Sequence, residues 1–128
     1  MLADSPIIAF ASTTDLDGAR SFYEGRLGLE VLHQDGFAVA LAVSGATIRV
    51  TLVDELRPQP FTVIGWQVAD IVGTVRGLAA AGVPFTRYEG MGQDDDGIWT
   101  APGGDRVAWF TDPDGNTLSV SQPSSSRR

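Results

Sequence analysis

Apolar residues in the first half of the chain alternate between a strand-like and a helix-like period. The run from Ile7 to Ala11 predicts a strand, and the polar cluster that ends at Asp15 predicts a helix start. Gly28 lies where a left-handed residue would end that helix. The helical stripe between them consists of Leu16, Ala19, Phe22, Tyr23 and Leu27. Three strands joined by tight turns follow, over residues 30–33, 37–43 and 47–53.

The second half of the chain repeats this order. Residues 62–68 predict a strand, Asp70 begins the next helix and Gly82 ends it. The segment 45–50 aligns with the segment 115–120, because both begin with a turn glycine and continue as a strand. The spacing between matched positions grows along the chain, so we expect an insertion in the second copy. Such internal similarity is typical of a duplicated unit.

The repeated order predicts an α+β fold of two βαβββ modules related by pseudo-twofold symmetry. Their strands would form a mostly antiparallel, cup-shaped sheet with the helices on the outside. We expect a single domain over residues 1–122, with module one at about 5–55 and module two at about 61–122. The Pro-containing segment 56–60 is the linker between them, and residues 123–128 form a disordered tail.

Alternation within the predicted strands assigns side chains to opposite faces of the sheet. In residues 47–53, an apolar set of Ile48, Val50 and Leu52 alternates with a polar set of Thr47, Arg49 and Thr51. In residues 37–43, large residues alternate with alanines, which leaves only methyl groups on one face. We expect the apolar sets to face the helices and the other face to form a binding cup. A plain antiparallel sheet with one solvated face is the alternative.

Composition and charge exclude several classes of function. The chain of 128 residues has no cysteine, which excludes disulfides, thiolate nucleophiles and cysteine metal sites. A formal net charge of -7 disfavours nucleic acid and anionic membranes as partners. The first residues lack the basic and long apolar segments of an export signal. We therefore expect a soluble, cytoplasmic protein.

Three short motifs follow one another along the chain. They are the segment 15–24, the tripeptide Leu27-Gly28-Leu29, and the pentapeptide Asp112-Pro113-Asp114-Gly115-Asn116. Together they resemble the vicinal oxygen chelate superfamily, which includes glyoxalase I, extradiol dioxygenases, and fosfomycin and bleomycin resistance proteins. The resemblance covers residues 7–122 and implies a small-molecule ligand and a homodimer.

The resemblance also implies a divalent metal held by His, Glu or Gln side chains at four strand positions. Aligned on the motifs, these positions correspond to Ile8, Arg49, Val63 and Ser119. Two are aliphatic, one is a fixed cation and one is a neutral hydroxyl, so they do not form a ligand set. A shift of one residue in either direction does not restore one. We therefore expect no metal and no cofactor.

Two other polar features of the sequence have simple structural explanations. His33, the only histidine, lies on the second predicted strand and is expected to be a surface or packing residue rather than a base or ligand. The acidic run 94–96 lies in a Gly-rich segment and is expected to be a solvated turn rather than a cation site.

The remaining candidates are the side chains that alternation directs into the cup. Arg49 could grip a carboxylate or phosphate bidentately; a salt bridge or a snorkelling surface position is the alternative. Trp66 and Trp109 are expected in the core, and Trp99 is expected as a lid or wall over a planar ligand, or else as a core or dimer contact. The predicted ligand-binding residues are Ile8, Phe10, Arg49, Val63, Gln67, Trp99, Phe110 and Ser119.

These features predict a metal-free binding protein of the bleomycin-resistance type that sequesters a drug-like or metabolite ligand. No catalytic residue is assigned. The alternative is a lyase, isomerase or dioxygenase-type enzyme with an atypical or misplaced metal site, or a cofactor-free catalyst that uses Arg49, Ser119 or Glu89.

Overall fold

A computed structural model describes residues 2–125 of the protein. These residues fall into two compact units that divide between Pro58 and Gln59. The boundary lies in the segment that the sequence indicates as a linker. Module one is the unit before this boundary, and module two is the unit after it.

Module one contains a strand, a helix and three further strands, as predicted. A short 3-10 turn at Leu2–Asp4 precedes the first strand. The strands are β1 (Ile7–Thr13), β2 (Glu30–Gln34), β3 (Ala38–Val43) and β4 (Ala46–Leu52). Helix α1 (Leu16–Arg20) continues as a π-helical segment, Ser21–Arg26. The sheet order is β1-β4-β3-β2, with β1 and β4 parallel and the other pairs antiparallel.

Module two repeats this topology. Its elements are β5 (Thr62–Gln67), α2 (Ile71–Ala80), β6 (Trp99–Thr100), β7 (Arg106–Thr111) and β8 (Thr117–Gln122). The sheet order is β5-β8-β7-β6, again with one parallel pair, β5 and β8. The two βαβββ modules are therefore confirmed, and each builds its own four-stranded sheet. A long loop separates α2 from the two-residue strand β6.

The two helices begin with the same local device. The carboxylate of Asp15 accepts a hydrogen bond from the backbone N–H of Gly18 at 3.1 Å, and Asp70 accepts one from Gly73 at the same distance. A Cβ atom at Gly18 would lie 2.7 Å from Asp15 Oδ2, so glycine at the third helical position leaves room for the capping carboxylate. None of the helices in residues 2–125 has the length and apolar character needed to cross a membrane.

Each helix packs on one face of its own sheet. In module one, α1 contacts β3 and β4, and the buried residues include Phe22 and Tyr23 of the helical region and Val39, Leu41 and Val50 of the strands. In module two, the buried residues of α2 are Ile71 and Val75, and the strand side of the core includes Leu118 and Val120. Full burial of one large apolar side chain contributes about 1.5–3 kcal/mol, so these contacts determine which face of each sheet is covered.

The predicted tail lies partly outside the described residues. The backbone N–H of Ser124 donates a hydrogen bond of 2.8 Å to Asp105 Oδ1, which ties the chain after β8 to the loop before β7. Residues 126–128 are not among those that the structure describes.

The pentapeptide motif forms the turn between β7 and β8. One carboxylate oxygen of the buried Asp112 accepts hydrogen bonds from the backbone N–H groups of Asp114 and Asn116, at 3.0 and 2.9 Å. The other accepts from Asn116 Nδ2 at 2.8 Å. Gly115 has a φ of 88°, a conformation that suits glycine. The motif is therefore a self-contained turn built around one carboxylate.

We expect Asp112→Ala to destabilise the protein. The substitution removes three hydrogen bonds to a buried carboxylate and strands their donors, and the free energy of unfolding should fall by about 2–4 kcal/mol. Urea denaturation followed by circular dichroism measures the change. Asp95→Ala is the matched control, because Asp95 is exposed, and it should stay within about 0.5 kcal/mol of the wild type. A stable Asp112→Ala protein would contradict this account of the turn.

Candidate functional site

The face of the module-one sheet opposite its helix carries a row of four paired residues. Phe10 pairs with Arg49, Arg49 with Ala40, and Ala40 with His33. Paired residues on neighbouring strands point to the same side of a sheet, so these four side chains share one face. A second row on this face runs through Ile8, Thr47, Ala42 and Glu30. These two rows are called the module-one open face.

Arg49 lies near the centre of this face and is half-buried. Within residues 2–125 its guanidinium makes no ion pair, whereas the ion pairs of module one join Arg20 to Glu24 and His33 to Asp35. Glu30, the acidic member of the second row, is not bonded to it. The salt-bridge alternative for Arg49 therefore finds no support, and the guanidinium is free to meet an outside anion.

Apolar and small side chains surround Arg49, as alternation predicts. Phe10 is 62% exposed and Ile8 is 53% exposed, so both present large apolar surface beside it. On the other side, Ala40 and Ala42 contribute only methyl groups. This arrangement leaves space next to the cation, with an apolar wall along one edge.

A β-bulge brings His33 into the same row. Val31 pairs with Leu41, which faces the helix, yet His33 pairs with Ala40 because the register shifts between them. Bulges of this kind re-aim side chains. The His33 side chain is 67% exposed, and its Nε2 atom lies 3.5 Å from Asp35 Oδ2.

The carboxylate next to His33 belongs to the turn between β2 and β3. Asp35 Oδ1 accepts hydrogen bonds from the backbone N–H groups of Phe37 and Ala38, at 2.8 and 3.0 Å. These two donors, and then His33, hold the pKa of Asp35 below its ordinary value. Asp35 is thus an ionised turn residue that can orient the imidazole.

The module-two sheet has a corresponding face with different chemistry. One row runs through Gly65, Ser119 and Trp109, and the next through Gln67, Ser121, Val107 and Trp99. A Cβ atom at Gly65 would lie 2.8 Å from Ser119 Oγ, so the hydroxyl occupies the space that a side chain would take. None of the residues in these two rows is charged. They are called the module-two open face.

Three aromatic rings meet on this face. The ring centroids of Tyr88 and Trp109 are 5.5 Å apart in an edge-to-face arrangement. Those of Trp99 and Trp109 are 6.0 Å apart and tilted by 35°. Tyr88 comes from the loop after α2, and no periodic pattern in the sequence indicates its position.

The faces of Trp109 and Phe110 are the reverse of those expected. Trp109 lies on the module-two open face, whereas Phe110 is 1% exposed on the helix side and stacks on Trp66 at 6.3 Å. The expectation transferred the β3 register to β7. Thr117 matches Thr47 of the first copy, but the pair Thr111 and Thr117 encloses one residue more than the pair Ala42 and Thr47. A register shift of one residue moves every side chain of a strand to the opposite face.

The four positions at which the resemblance implies a metal do not fit one. Ile8 and Arg49 lie on the module-one open face, and Ser119 lies on the module-two open face. Val63 falls at a register irregularity between Thr62 and Ile64. Aliphatic, cationic and neutral hydroxyl groups are not a ligand set for a divalent ion. Among the described residues, no three His, Cys, Asp or Glu side chains are grouped so as to hold a metal.

The acidic run 94–96 is engaged in its own loop. Asp94 Oδ1 accepts hydrogen bonds from the backbone N–H groups of Asp96 and Ile98, at 2.9 Å each. Asp96 forms an ion pair with Arg76 at 3.2 Å. Both carboxylates therefore serve the loop and its attachment to α2, as expected for a turn.

Solved structures of the same fold cover nearly the whole chain. A glyoxalase/bleomycin resistance protein/dioxygenase from Alicyclobacillus acidocaldarius has a TM-score of 0.73 at 19% identity, over 97% of this chain and 95% of that one. A lactoylglutathione lyase from Agrobacterium tumefaciens has a TM-score of 0.70 at 16% identity, over 93% of both chains. At such identities the likeness shows the fold alone. No curated protein matches the sequence closely enough to count as a relative.

A family model settles the membership that the motifs indicate. The model described as the glyoxalase/bleomycin resistance protein/dioxygenase superfamily matches residues 8–120. This range includes all three motifs and nearly all of both βαβββ modules. The chain belongs to the glyoxalase/bleomycin resistance protein/dioxygenase superfamily.

Proposed function

We propose that this protein is a metal-free binding protein of the bleomycin-resistance type, which sequesters a small organic anion. The observation that carries the proposal is the half-buried guanidinium of Arg49, unpaired among the described residues and flanked by exposed apolar side chains. A carboxylate or phosphate would satisfy both its charge and its two parallel N–H donors.

The neighbours of Arg49 support an organic rather than an inorganic anion. Thr47 and Thr51 precede and follow it on the same face of β4, where their hydroxyls can donate to anion oxygens. Phe10 and Ile8 offer apolar surface to the carbon skeleton of the ligand. A bare phosphate would leave that surface wet.

Binding is favoured over catalysis by the chemistry of the strand positions. A divalent ion in such a fold supplies several kcal/mol of charge stabilisation as a Lewis acid, and the side chains at these positions cannot hold one. Arg49 offers a positive charge and N–H donors, which bind an anion, and no acceptor atom for a proton of the ligand. Apart from His33 and Glu30, which lie at the exposed β2 end of the two rows, the groups on this face suit recognition better than reaction.

The module-two open face offers proposed ligand contacts of its own. Gln67 and Ser119 can orient a ligand through hydrogen bonds, and Trp99 and Val63 offer apolar contact. Phe110 leaves this group, because its side chain is buried on the helix side.

Loss of the Arg49 charge should weaken anion binding without unfolding the protein. We expect Arg49→Gln to weaken binding of an aromatic carboxylate such as 2-naphthoate by roughly 10- to 100-fold, the range for a charge-assisted contact. Isothermal titration calorimetry measures the affinity. Thermal unfolding should change little, because Arg49 makes no ion pair within residues 2–125.

Two controls sharpen this experiment. The neutral amide 2-naphthamide should bind the wild type and Arg49→Gln alike, since it offers no charge to the guanidinium. Arg106→Gln removes a cation from the helix side of module two and should leave 2-naphthoate binding unchanged. Equal 2-naphthoate affinities for the wild type and Arg49→Gln would remove Arg49 from the site.

The absence of a metal requirement is a separate prediction. Protein purified without chelators should carry far less than one transition metal per chain, and added Zn²⁺, Ni²⁺, Mn²⁺ or Fe²⁺ should not raise its melting temperature, because no ligand set is available to bind them. Elemental analysis and thermal denaturation provide the measurements. A stoichiometric metal would favour the alternative, a metal-dependent enzyme of this superfamily.

A cytoplasmic homodimer is the proposed state of the protein. Strand β1 forms an edge of the module-one sheet and exposes large apolar side chains, including Ile7. An apolar edge of this kind favours association with a second copy. Sedimentation velocity should give twice the mass of one chain, and a monomer at micromolar concentration would contradict the proposal.

A further inference from the structure

We infer that the rings of Tyr88, Trp109 and Trp99 form a preorganised platform that takes the face of a planar, uncharged ring. The inference rests on the proposed small-molecule binding and adds to it the class of chemical group that module two recognises. Arg49 has no part in it.

Two of the three rings of the platform belong to strands. Trp109 belongs to β7, between strands β6 and β8, and its indole projects from the module-two open face. Trp99 belongs to β6, directly next to β7. Both indoles remain partly exposed and lie within ring-contact distance of each other. Partly exposed aromatic surface on a rigid strand is a frequent feature of binding sites.

The third ring is held in place by one amide. Gln93 Oε1 accepts a hydrogen bond of 2.7 Å from the backbone N–H of Tyr88. Its Nε2 atom donates to the carbonyls of Thr86 and Gly97, at 3.0 and 2.8 Å. The backbone N–H of Thr86 in turn donates to the Trp109 carbonyl at 2.7 Å. The loop that carries Tyr88 is thus fastened to β7 before any ligand arrives, which reduces the entropy lost on binding.

The surroundings of the platform define the ligand. Its two rows contain hydroxyl and amide groups at Ser119, Ser121 and Gln67, but no charged side chain. The neighbour of Trp109 in its row is Ser119, and Gly65 beyond it adds no side chain. Stacking on indole requires a flat π-face, and the polar groups can bond to ring carbonyls or nitrogens. A planar heteroaromatic ring without net charge meets both requirements.

Caffeine, which is planar and uncharged, is a suitable probe. The three tryptophans give three indole N–H signals in a proton–nitrogen correlation spectrum. Titration should shift the signals of Trp99 and Trp109 saturably and leave Trp66 in place, because Trp66 stacks on Phe110 on the helix side. Absence of a saturable shift, or equal shifts of all three signals, would overturn the inference.

Variants of Tyr88 test the platform itself. Tyr88→Leu should weaken caffeine binding roughly 2- to 10-fold, the factor expected for the loss of one ring–ring contact, and Tyr88→Phe should retain it. Phe61→Leu changes another exposed aromatic residue of module two and is the matched control. Full affinity in Tyr88→Leu would overturn the inference. The signals of the same spectra show that each variant is folded.

Failure of this inference can be distinguished from failure of the proposed function. Arg49→Gln should bind caffeine as the wild type does, because caffeine carries no charge for the guanidinium to pair with. If 2-naphthoate binds through Arg49 and caffeine does not bind, the anion site stands and the platform is rejected. If cyclohexanecarboxamide, which is uncharged but not planar, shifts the Trp99 and Trp109 signals as strongly as caffeine, the requirement for a flat ring is wrong.

Discussion

The helix of each module covers only one of the two faces of its four-stranded sheet. In each module the helix covers the face that carries the branched and aromatic core residues, and every other side chain of the same strands points away from it. Side chains at those alternate positions can therefore be substituted without loss of the core. The composition of the two open faces, rather than the core, is where a functional argument for this protein can be made.

The two open faces differ although the two modules share one topology. Module one presents a cation with an apolar wall and alanines around it, and module two presents three rings with neutral polar groups. A metal-binding member of such a fold needs carboxylate, amide or imidazole side chains at particular strand positions, and this chain has aliphatic, cationic and hydroxyl groups there. This chain thus has the fold of a metal-binding member but different side chains at the strand positions that would hold the metal.

Much of the fold could be predicted from the sequence because its signals are local. Asp15 and Asp70 cap the helices, Gly28 and Gly82 end them with positive φ, and strand alternation places Arg49 and Phe10 on the open face. Non-local register is less accessible. Trp109 and Phe110 lie on faces opposite to those predicted because the turn before β8 differs in length from the turn before β4.

Other features of the site lie beyond what strand alternation can show. A bulge at Leu32 brings His33 into the Arg49 row, and no residue type at this point of the sequence predicts a bulge. Tyr88 reaches Trp109 only because the loop is fastened by the Gln93 amide, a contact between residues with no periodic relation. That Arg49 makes no ion pair within residues 2–125 is likewise a fact of three-dimensional placement, since the sequence offers many carboxylates.

The longer turn between β7 and β8 also bears on how duplicated units diverge. Point substitutions alter one surface position at a time, whereas a single inserted codon in a hairpin exchanges the inner and outer sets of an entire strand at once. In β7 this exchange places the indole of Trp109 on the open face and the phenyl ring of Phe110 in the core. Descendants of one ancestral repeat can in this way acquire unlike ligand preferences through a change in length, with no intermediate in which the strand is half converted.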